Sequence, residues 1–242
     1  MSAATSVRPD QSTDPARQTR EVDLAVTSVR ELNAGLHAAE VGSQWSVTQP
    51  AGRHNLAVGV DRELDVTIHG HVGYYCAGMH QRGTILVHGN AGVGLAENIM
   101  SGRVHVTGDA SQSAAATGRG GLVVIDGNTG ARCGISMKGV DIVVGGDIGH
   151  MSAFMAQAGR LVVCGDAGEA LGDSIYEARI YVRGTVASLG ADCVEKPMEA
   201  EHLAELAALL AEAGRPEEAS DFRRYGSART LYHFHVDNAS AY

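Results

Sequence analysis

Aliphatic residues recur along the middle of the chain every 19 residues, each time as a short alternating run that ends at a glycine. We call these seven residues the anchor glycines: Gly70, Gly89, Gly108, Gly127, Gly146, Gly165 and Gly184. The positions two and four residues before each anchor glycine hold only Val, Ile or Leu. Alternation with a period of two predicts a strand that buries one face. A short repeat of such strands predicts coils that bury their apolar faces by stacking.

The predicted fold is therefore an all-β core: a right-handed parallel β-helix of about seven 19-residue coils, with the hand set by the usual strand twist. Short helices are expected at both ends. Ser28 and Glu31 form a capping-box pattern that predicts a helix over 29–39. A second helix is predicted over 199–213, with one apolar stripe made of Leu203, Leu206, Ala207, Leu210 and Ala213. The two helices are candidates for the end caps that β-helices need.

Four segments follow from this pattern. Residues 1–20 are polar, contain two prolines and are expected to be a disordered leader. Residues 21–60 form a helix and strands that cap the first coil, and residues 61–195 form the β-helix. Residues 196–242 supply the second helix and a docking tail.

The outward position between the two buried aliphatics carries an unusual stripe. It is apolar on four consecutive coils, at Val124, Val143, Val162 and Tyr181. A contiguous apolar surface of this kind is expected to be covered, either by a partner chain or by this chain's own terminal helix. We assign these four residues to a partner interface.

The tail after residue 221 is rich in Arg and aromatic residues, which are enriched in protein interfaces. We assign its members to the same interface: Arg223, Arg224, Tyr225, Tyr232 and Phe234. The open alternative is that the tail packs against its own helix.

Composition narrows the function class. The chain has 31 Gly, 19 Lys+Arg and 28 Asp+Glu, for a formal charge of −9, which argues against nucleic-acid binding. The sequence contains no apolar run of about 20 residues, so no membrane span is predicted. The first 20 residues lack the apolar segment of a secretory signal peptide. With four cysteines and no CxxC pair, reduced thiols in the cytoplasm are expected.

Candidate chemistry is sparse, and we assign no catalytic, cofactor-binding or metal-ligating residue to this chain. Asp147 and Asp166 follow anchor glycines on adjacent coils, so they form either a carboxylate pair for acid/base work or part of an Asn/Asp turn ladder. The turn ladder is the favoured interpretation. Cys76 and Cys133 lie three coils apart, about 14 Å, too far to share a metal. His69 and His88 stack but lack a third ligand at suitable spacing.

The glycine-repeat segment, about 55–193, resembles the C-terminal Gly-x-Gly-x-Gly β-helix domain of the glutamate synthase large subunit. It is more similar to a stand-alone version, the β-helix subunit of N-methylglutamate synthase. The strings that carry this resemblance are GHVGYYCAGM (70–79), AENIMSG (96–102), RCGISMKG (132–139), GHMSAFMAQ (149–157) and GDSIYEAR (172–179). The 19-residue period alone does not distinguish this family from the C subunit of formylmethanofuran dehydrogenase, which is similar in fold.

The resemblance implies a non-catalytic, structural subunit of a hetero-oligomeric complex that makes N-methylglutamate and ammonia from glutamate and methylamine. It implies two partners, a class II glutamine-amidotransferase-like subunit and a glutamate synthase-like subunit that carries FMN and an iron–sulfur cluster. The residues agree with this division, because no Cys follows Met1 and no cofactor fingerprint occurs. The alternatives are a subunit of an ammonia-using glutamate synthase-like or formylmethanofuran dehydrogenase-like complex, or a stand-alone β-helix enzyme that uses Asp147 and Asp166.

Overall fold

The computed structural model describes residues 19–230, whose regular elements are eleven strands, two α-helices and one 3₁₀ turn. The strands are β1 (Thr19–Asp23), β2 (Gln44–Thr48), β3 (Asp65–His69), β4 (Thr84–His88), β5 (Arg103–Val106), β6 (Leu122–Ile125), β7 (Lys138–Val144), β8 (Ala158–Val163), β9 (Arg179–Val182), β10 (Cys193–Lys196) and β11 (Arg223–Ser227). The helices are α1 (Val29–Ala38) and α2 (Ala200–Ala213), and the 3₁₀ turn is Ala219–Asp221.

The strands stack into one ladder in the order β1 to β9, followed by β11 and then β10. Every pair from β1 to β9 is parallel, and the repeat stays in register, so that Val66 lies beside Ile85 and Ile85 beside Val104. The predicted right-handed parallel β-helix of about seven coils is confirmed. The two aliphatic positions of each coil point inward and build the interior core, in which Ile68, Ile85 and Ile142 are fully buried.

The ladder extends past the repeat at its amino-terminal end. β1 and β2 continue the parallel pairing below β3, so Thr19 and Arg20 belong to a strand. The prediction that they are part of a disordered leader is wrong for these two residues, and residues 1–18 lie outside the described part. α1 follows β1 at the place where later coils have a turn. Its Asn33 and His37 side chains bond the backbone carbonyls of Asn55 and Val58, in the segment between β2 and β3, at 2.8 Å.

The helix starts follow local capping chemistry. At α1, the Glu31 N–H donates to the Ser28 hydroxyl oxygen and the Ser28 N–H donates to the Glu31 carboxylate, which confirms the capping box. α2 ends at Gly214 in a left-handed conformation with φ 72°. α2 lies along the strand face instead of capping an end, and the last coil is closed by β11, which runs antiparallel to β9.

The wide turn of each coil has an unusual backbone. The turns at 74–79, 93–98, 112–117, 131–136, 150–155 and 169–174 all place their second, fourth and sixth residues at positive φ, mostly without glycine. A left-handed non-glycine residue costs roughly 1–2 kcal/mol. Hydrogen bonds offset this, because the N–H groups point alternately to the two neighbouring coils: Tyr75 donates to Val93, Ala77 to Leu56 and Met79 to Glu97. We call the side of the solenoid formed by these six turns the turn face.

The anchor glycines are required by close stacking. A Cβ on Gly146 would lie 2.2 Å from Asn128 Oδ1 and 3.0 Å from the Gly127 carbonyl oxygen. Asn128 cannot retreat freely, because its Oδ1 accepts the Asp147 N–H at 2.8 Å. The Asn or Asp after one anchor glycine therefore supports the next anchor glycine directly.

Gly146→Ala should lower the free energy of unfolding by about 1–3 kcal/mol, the usual cost of overpacking. Gly226→Ala is the matched control, since its added Cβ would meet nothing closer than Lys196 Cγ at 3.8 Å. Neither glycine has a positive φ, so the comparison isolates the steric contact. Urea unfolding measures both variants, and equal losses would contradict the stacking role.

Candidate partner interface

The predicted apolar stripe is buried by the chain itself. Val124, Val143, Val162 and Tyr181 are each 0% exposed and form a second apolar cluster with one face of α2. From α2 and the segment after it, this cluster contains Leu206, Leu209, Leu210, Ala213, Ala219 and Phe222. The assignment of the four stripe residues to a partner interface is corrected: α2 occupies their surface, which was the alternative that the sequence left open. Ala207, predicted on the apolar stripe of the helix, is exposed, and Leu209 is buried in its place.

Polar contacts hold α2 in position at the edge of this cluster. Glu205 accepts hydrogen bonds from the Tyr181 hydroxyl at 2.6 Å and from Arg179 Nη1 at 2.5 Å. Arg160 pairs with Asp141 on the neighbouring coil and lies 3.9 Å from Glu205. Burial, assisted by Glu205, raises the pKa of Tyr181, so its hydroxyl stays protonated as a donor. α2 is thus docked by apolar contacts and by the half-buried carboxylate of Glu205, which accepts hydrogen bonds from the strands.

The tail residues have mixed positions. Tyr225 is 3% exposed and belongs to the interior core, so its assignment to a partner surface is also corrected. Arg224 Nε donates to the Pro197 carbonyl at 2.9 Å, and exposed Arg223 donates to the Gly184 carbonyl at 2.8 Å. Both therefore bond their own chain, but they bond the last coil and the segment before α2, not the helix that the alternative named. Tyr232 and Phe234 lie outside the described residues.

A group of exposed apolar side chains, separate from the exposed Val26 and Val41, lies on or beside the turn face. Tyr74 is 50% exposed, Tyr75 45% and Met79 52%, and Met100, two residues past the turn 93–98 of the next coil, is 45% exposed. Tyr74 stacks on His54 with ring centroids 4.5 Å apart, and the rings of Tyr74 and Tyr75 lie against Gly92 and Gly94 of the next coil. We call these four residues the Tyr/Met patch. The aromatic and methionine content is typical of protein interfaces.

The turn face stays partly apolar farther along the solenoid. Its half-buried side chains there are Ile135, Met151, Phe154 and Met155. The left-handed conformation explains the exposure of Met151 and Met155, because the second and sixth residues of a turn point outward while the fourth points into the core. Ile135 and Phe154 occupy the fifth position of their turns. The fourth position is accordingly small in every turn: Ala77, Ala96, Ala115, Gly134, Ala153 and Gly172.

The Asn/Asp residues after the anchor glycines form one continuous ladder of hydrogen bonds. Asn90, Asp109, Asn128, Asp147 and Asp166 each accept the backbone N–H of the equivalent residue on the next coil, at 2.7–3.0 Å. The pKa of Asp166 is lowered, because bonds from the Thr185 backbone N–H and side chain favour the charged carboxylate. This geometry supports the turn-ladder interpretation over an acid/base pair, since Asp147 and Asp166 accept the same backbone hydrogen bond that the uncharged Asn128 accepts.

Asp147→Asn with Asp166→Asn should change the free energy of unfolding by no more than about 0.5 kcal/mol, the range for surface substitutions, because the amide oxygen still accepts the N–H. Asp147→Ala should cost about 1 kcal/mol, because the Asp166 N–H then loses its acceptor. Urea unfolding distinguishes the variants. A loss of catalytic activity in the double Asn variant at unchanged stability would restore the acid/base interpretation.

The cysteines and histidines are explained by packing. All four cysteines are free and buried, and burial raises the pKa of Cys76 and Cys133 to about 12. His69 and His88 stack with ring centroids 5.6 Å apart. Within residues 19–230, no cluster of three or more His, Cys, Asp or Glu is arranged to hold a metal ion. Neither helix in that range has the length and apolar composition that a membrane crossing requires.

Comparison with known proteins identifies the family. Protein GlxC from Rhizobium meliloti (strain 1021) is 61% identical over 228 residues, which cover 91% of this chain and 99% of that protein. The chain belongs to the GlxC family. This assignment fits the resemblance of the glycine-repeat strings to stand-alone β-helix subunits of glutamate synthase type. No family model matches the chain, and no solved structure does.

Proposed function

We propose that this chain is the structural, non-catalytic β-helix subunit of a glutamate-synthase-like complex, most specifically N-methylglutamate synthase. In that reaction glutamate and methylamine give N-methylglutamate and ammonia. The observation that carries the proposal is the match to GlxC along nearly the whole of both chains, together with the glycine-repeat strings that resemble N-methylglutamate synthase. The Tyr/Met patch supports it, because a structural subunit needs an exposed surface on which a partner can dock.

The proposed partners carry the chemistry. A class II amidotransferase-like subunit would handle the amino-group donor, and a second subunit would hold FMN and an iron–sulfur cluster. In this chain the ladder carboxylates are committed to backbone N–H groups, and the thiols are buried with raised pKa values. These groups therefore suit a structural role better than nucleophilic or acid/base work. We place the complex in the cytoplasm, where thiols of this kind stay reduced.

Co-expression tests the proposal directly. The tagged chain is purified with and without the two candidate partner subunits, and the eluate is examined for flavin absorbance, for subunit composition and for methylamine-dependent N-methylglutamate formation. We expect a yellow hetero-oligomer that forms N-methylglutamate. A chain that elutes alone in the presence of both partners would refute the subunit role. A complex active only with ammonia would keep that role and replace the substrate.

A further inference from the structure

A small cavity at the carboxyl-terminal end of the solenoid collects positive charge. The cavity measures about 250 Å³ and lies between the last coil, β10, β11 and the start of α2. Besides the phenol of Tyr176, its titratable lining consists of Arg179, Lys196, His202, Arg224, Arg229 and one carboxylate, Glu177. Four permanent cations around one carboxylate are unusual in a chain whose formal net charge is −9. The local charge balance is therefore opposite to that of the whole molecule.

Two of these cations have carboxylate partners and two do not. Arg179 bonds Glu205 at 2.5 Å, and Arg229 bonds Glu177 at 2.8 Å. Within residues 19–230, neither Lys196 nor Arg224 has a carboxylate within salt-bridge distance, and the hydrogen bond of Arg224 goes to the Pro197 carbonyl. The site thus holds two uncompensated cationic groups beside two compensated ones.

The strand register brings the two uncompensated cations together. β10 and β11 are antiparallel, and Lys196 lies directly opposite Arg224. Like charges in directly opposed positions destabilise a strand pair. An anion between them would reverse the sign of that interaction, and Arg224 keeps its terminal Nη groups for a forked contact with oxygen atoms.

His202 adds a ring nitrogen to the same cavity. It is 7% exposed, and its Nδ1 accepts the Glu199 N–H at 3.2 Å. That bond leaves Nε2 as the ring N–H donor, and Nε2 lies 3.6 Å from Glu201 Oε1. The cavity is smaller than the usual range of about 300–1,000 Å³ for ligand pockets, so its ligand must be small.

We propose that this cavity is a binding site for a small oxyanion, a phosphate or a short carboxylate, held between Lys196 and Arg224. Arg179 and Arg229 border it, and His202 supplies an additional N–H donor. The site lies outside the Tyr/Met patch and does not depend on the role proposed for the chain. Its ligand class follows from the charges alone.

Titration calorimetry and thermal unfolding of the full chain test the site. Inorganic phosphate and succinate are the probes, in Tris chloride at constant ionic strength, so that a general salt effect is excluded. We expect saturable binding of at least one probe and a rise of Tm with its concentration. Stronger binding of phosphate would identify a phosphoryl site, and stronger binding of succinate a carboxylate site. No binding of either probe would overturn the proposal.

The chain contains only two lysines, Lys138 and Lys196, which provides a matched control. Lys196→Gln should weaken binding of the bound probe about tenfold, the effect of losing one charge-assisted hydrogen bond. Lys138→Gln removes the same charge from the exposed first residue of β7 and should leave binding unchanged. In chloride alone, Lys196→Gln should not lower Tm, because it removes the repulsion from Arg224. Equal weakening in both variants would show nonspecific attraction and refute the site.

Discussion

Leu206→Asp should lower the free energy of unfolding by at least about 3 kcal/mol, since it places an unpaired charge in a packed apolar cluster. Leu206 is 0% exposed and lies in the cluster that α2 forms over Val124, Val143 and Val162. Release of α2 would uncover this stripe of apolar residues on adjacent strands, a surface that favours association. We therefore expect both a lower urea midpoint and a shift to larger species in size-exclusion chromatography.

Ala207→Asp is the control for that result, because Ala207 is the adjacent residue of α2 and faces solvent. It should change stability by no more than about 0.5 kcal/mol. The milder Leu206→Ala should cost about 2–5 kcal/mol and remain measurable if the Asp variant does not fold. Similar losses for Leu206→Asp and Ala207→Asp would mean that α2 does not dock through this face.

The repeating strands could be predicted from the sequence because each coil presents the same signal at the same interval. Val66, Ile85 and Val104 occupy equivalent positions, and each lies on its predicted neighbour in the ladder. The first two strands give no such signal. β2 pairs with β3 at an offset of 21 residues, and β1 pairs with β2 at an offset of 25, with α1 inserted between them. A fixed period cannot detect coils whose lengths differ.

The turn conformation could not be predicted from residue propensities. Tyr75, Arg132 and Met151 all adopt positive φ, which side chains of this kind rarely do. Hydrogen bonds to both neighbouring coils impose it, so the cause is tertiary. One signal was available in the sequence, the run of Ala or Gly seven residues after each anchor glycine from Gly70 to Gly165, which indicates a buried, crowded position in every turn.

The location of the candidate interface illustrates a similar limit. The sequence shows both an apolar stripe, at Val124 to Tyr181, and an apolar helix, at 200–213. Packing of the helix on the stripe buries both apolar surfaces within one chain. Only the three-dimensional arrangement distinguishes this packing from burial of the stripe by a partner chain. The Tyr/Met patch was harder to recognise, because Tyr75 and Met79 reach the surface through left-handed positions that break the simple alternation of strands.

Replacing Tyr75 and Met79 together by Ser should weaken assembly with the proposed partner subunits by at least about 100-fold. A tyrosine that anchors an interface typically costs about 2 kcal/mol or more when it is truncated, loss of the Met79 contact adds to this, and each 1.4 kcal/mol is a factor of about ten in affinity. Folding should be unaffected, because the chain already places serine at equivalent positions. Ser113 is the counterpart of Tyr75 with φ 62°, and Ser136 is the counterpart of Met79 with φ 52°.

The matched control removes two exposed valines from elsewhere on the surface. Val26 is 86% exposed and Val41 70%, so Val26→Ser with Val41→Ser deletes comparable apolar exposure outside the turn face. Co-purification of each variant with the candidate partners, followed by titration of the purified subunits, gives the two affinities. We expect the control to assemble normally and the Tyr75/Met79 variant to elute alone with an unchanged Tm. Normal assembly of both variants would show that the partner interface does not include the Tyr/Met patch, because an anchor that can be removed without loss of affinity is not part of the contact.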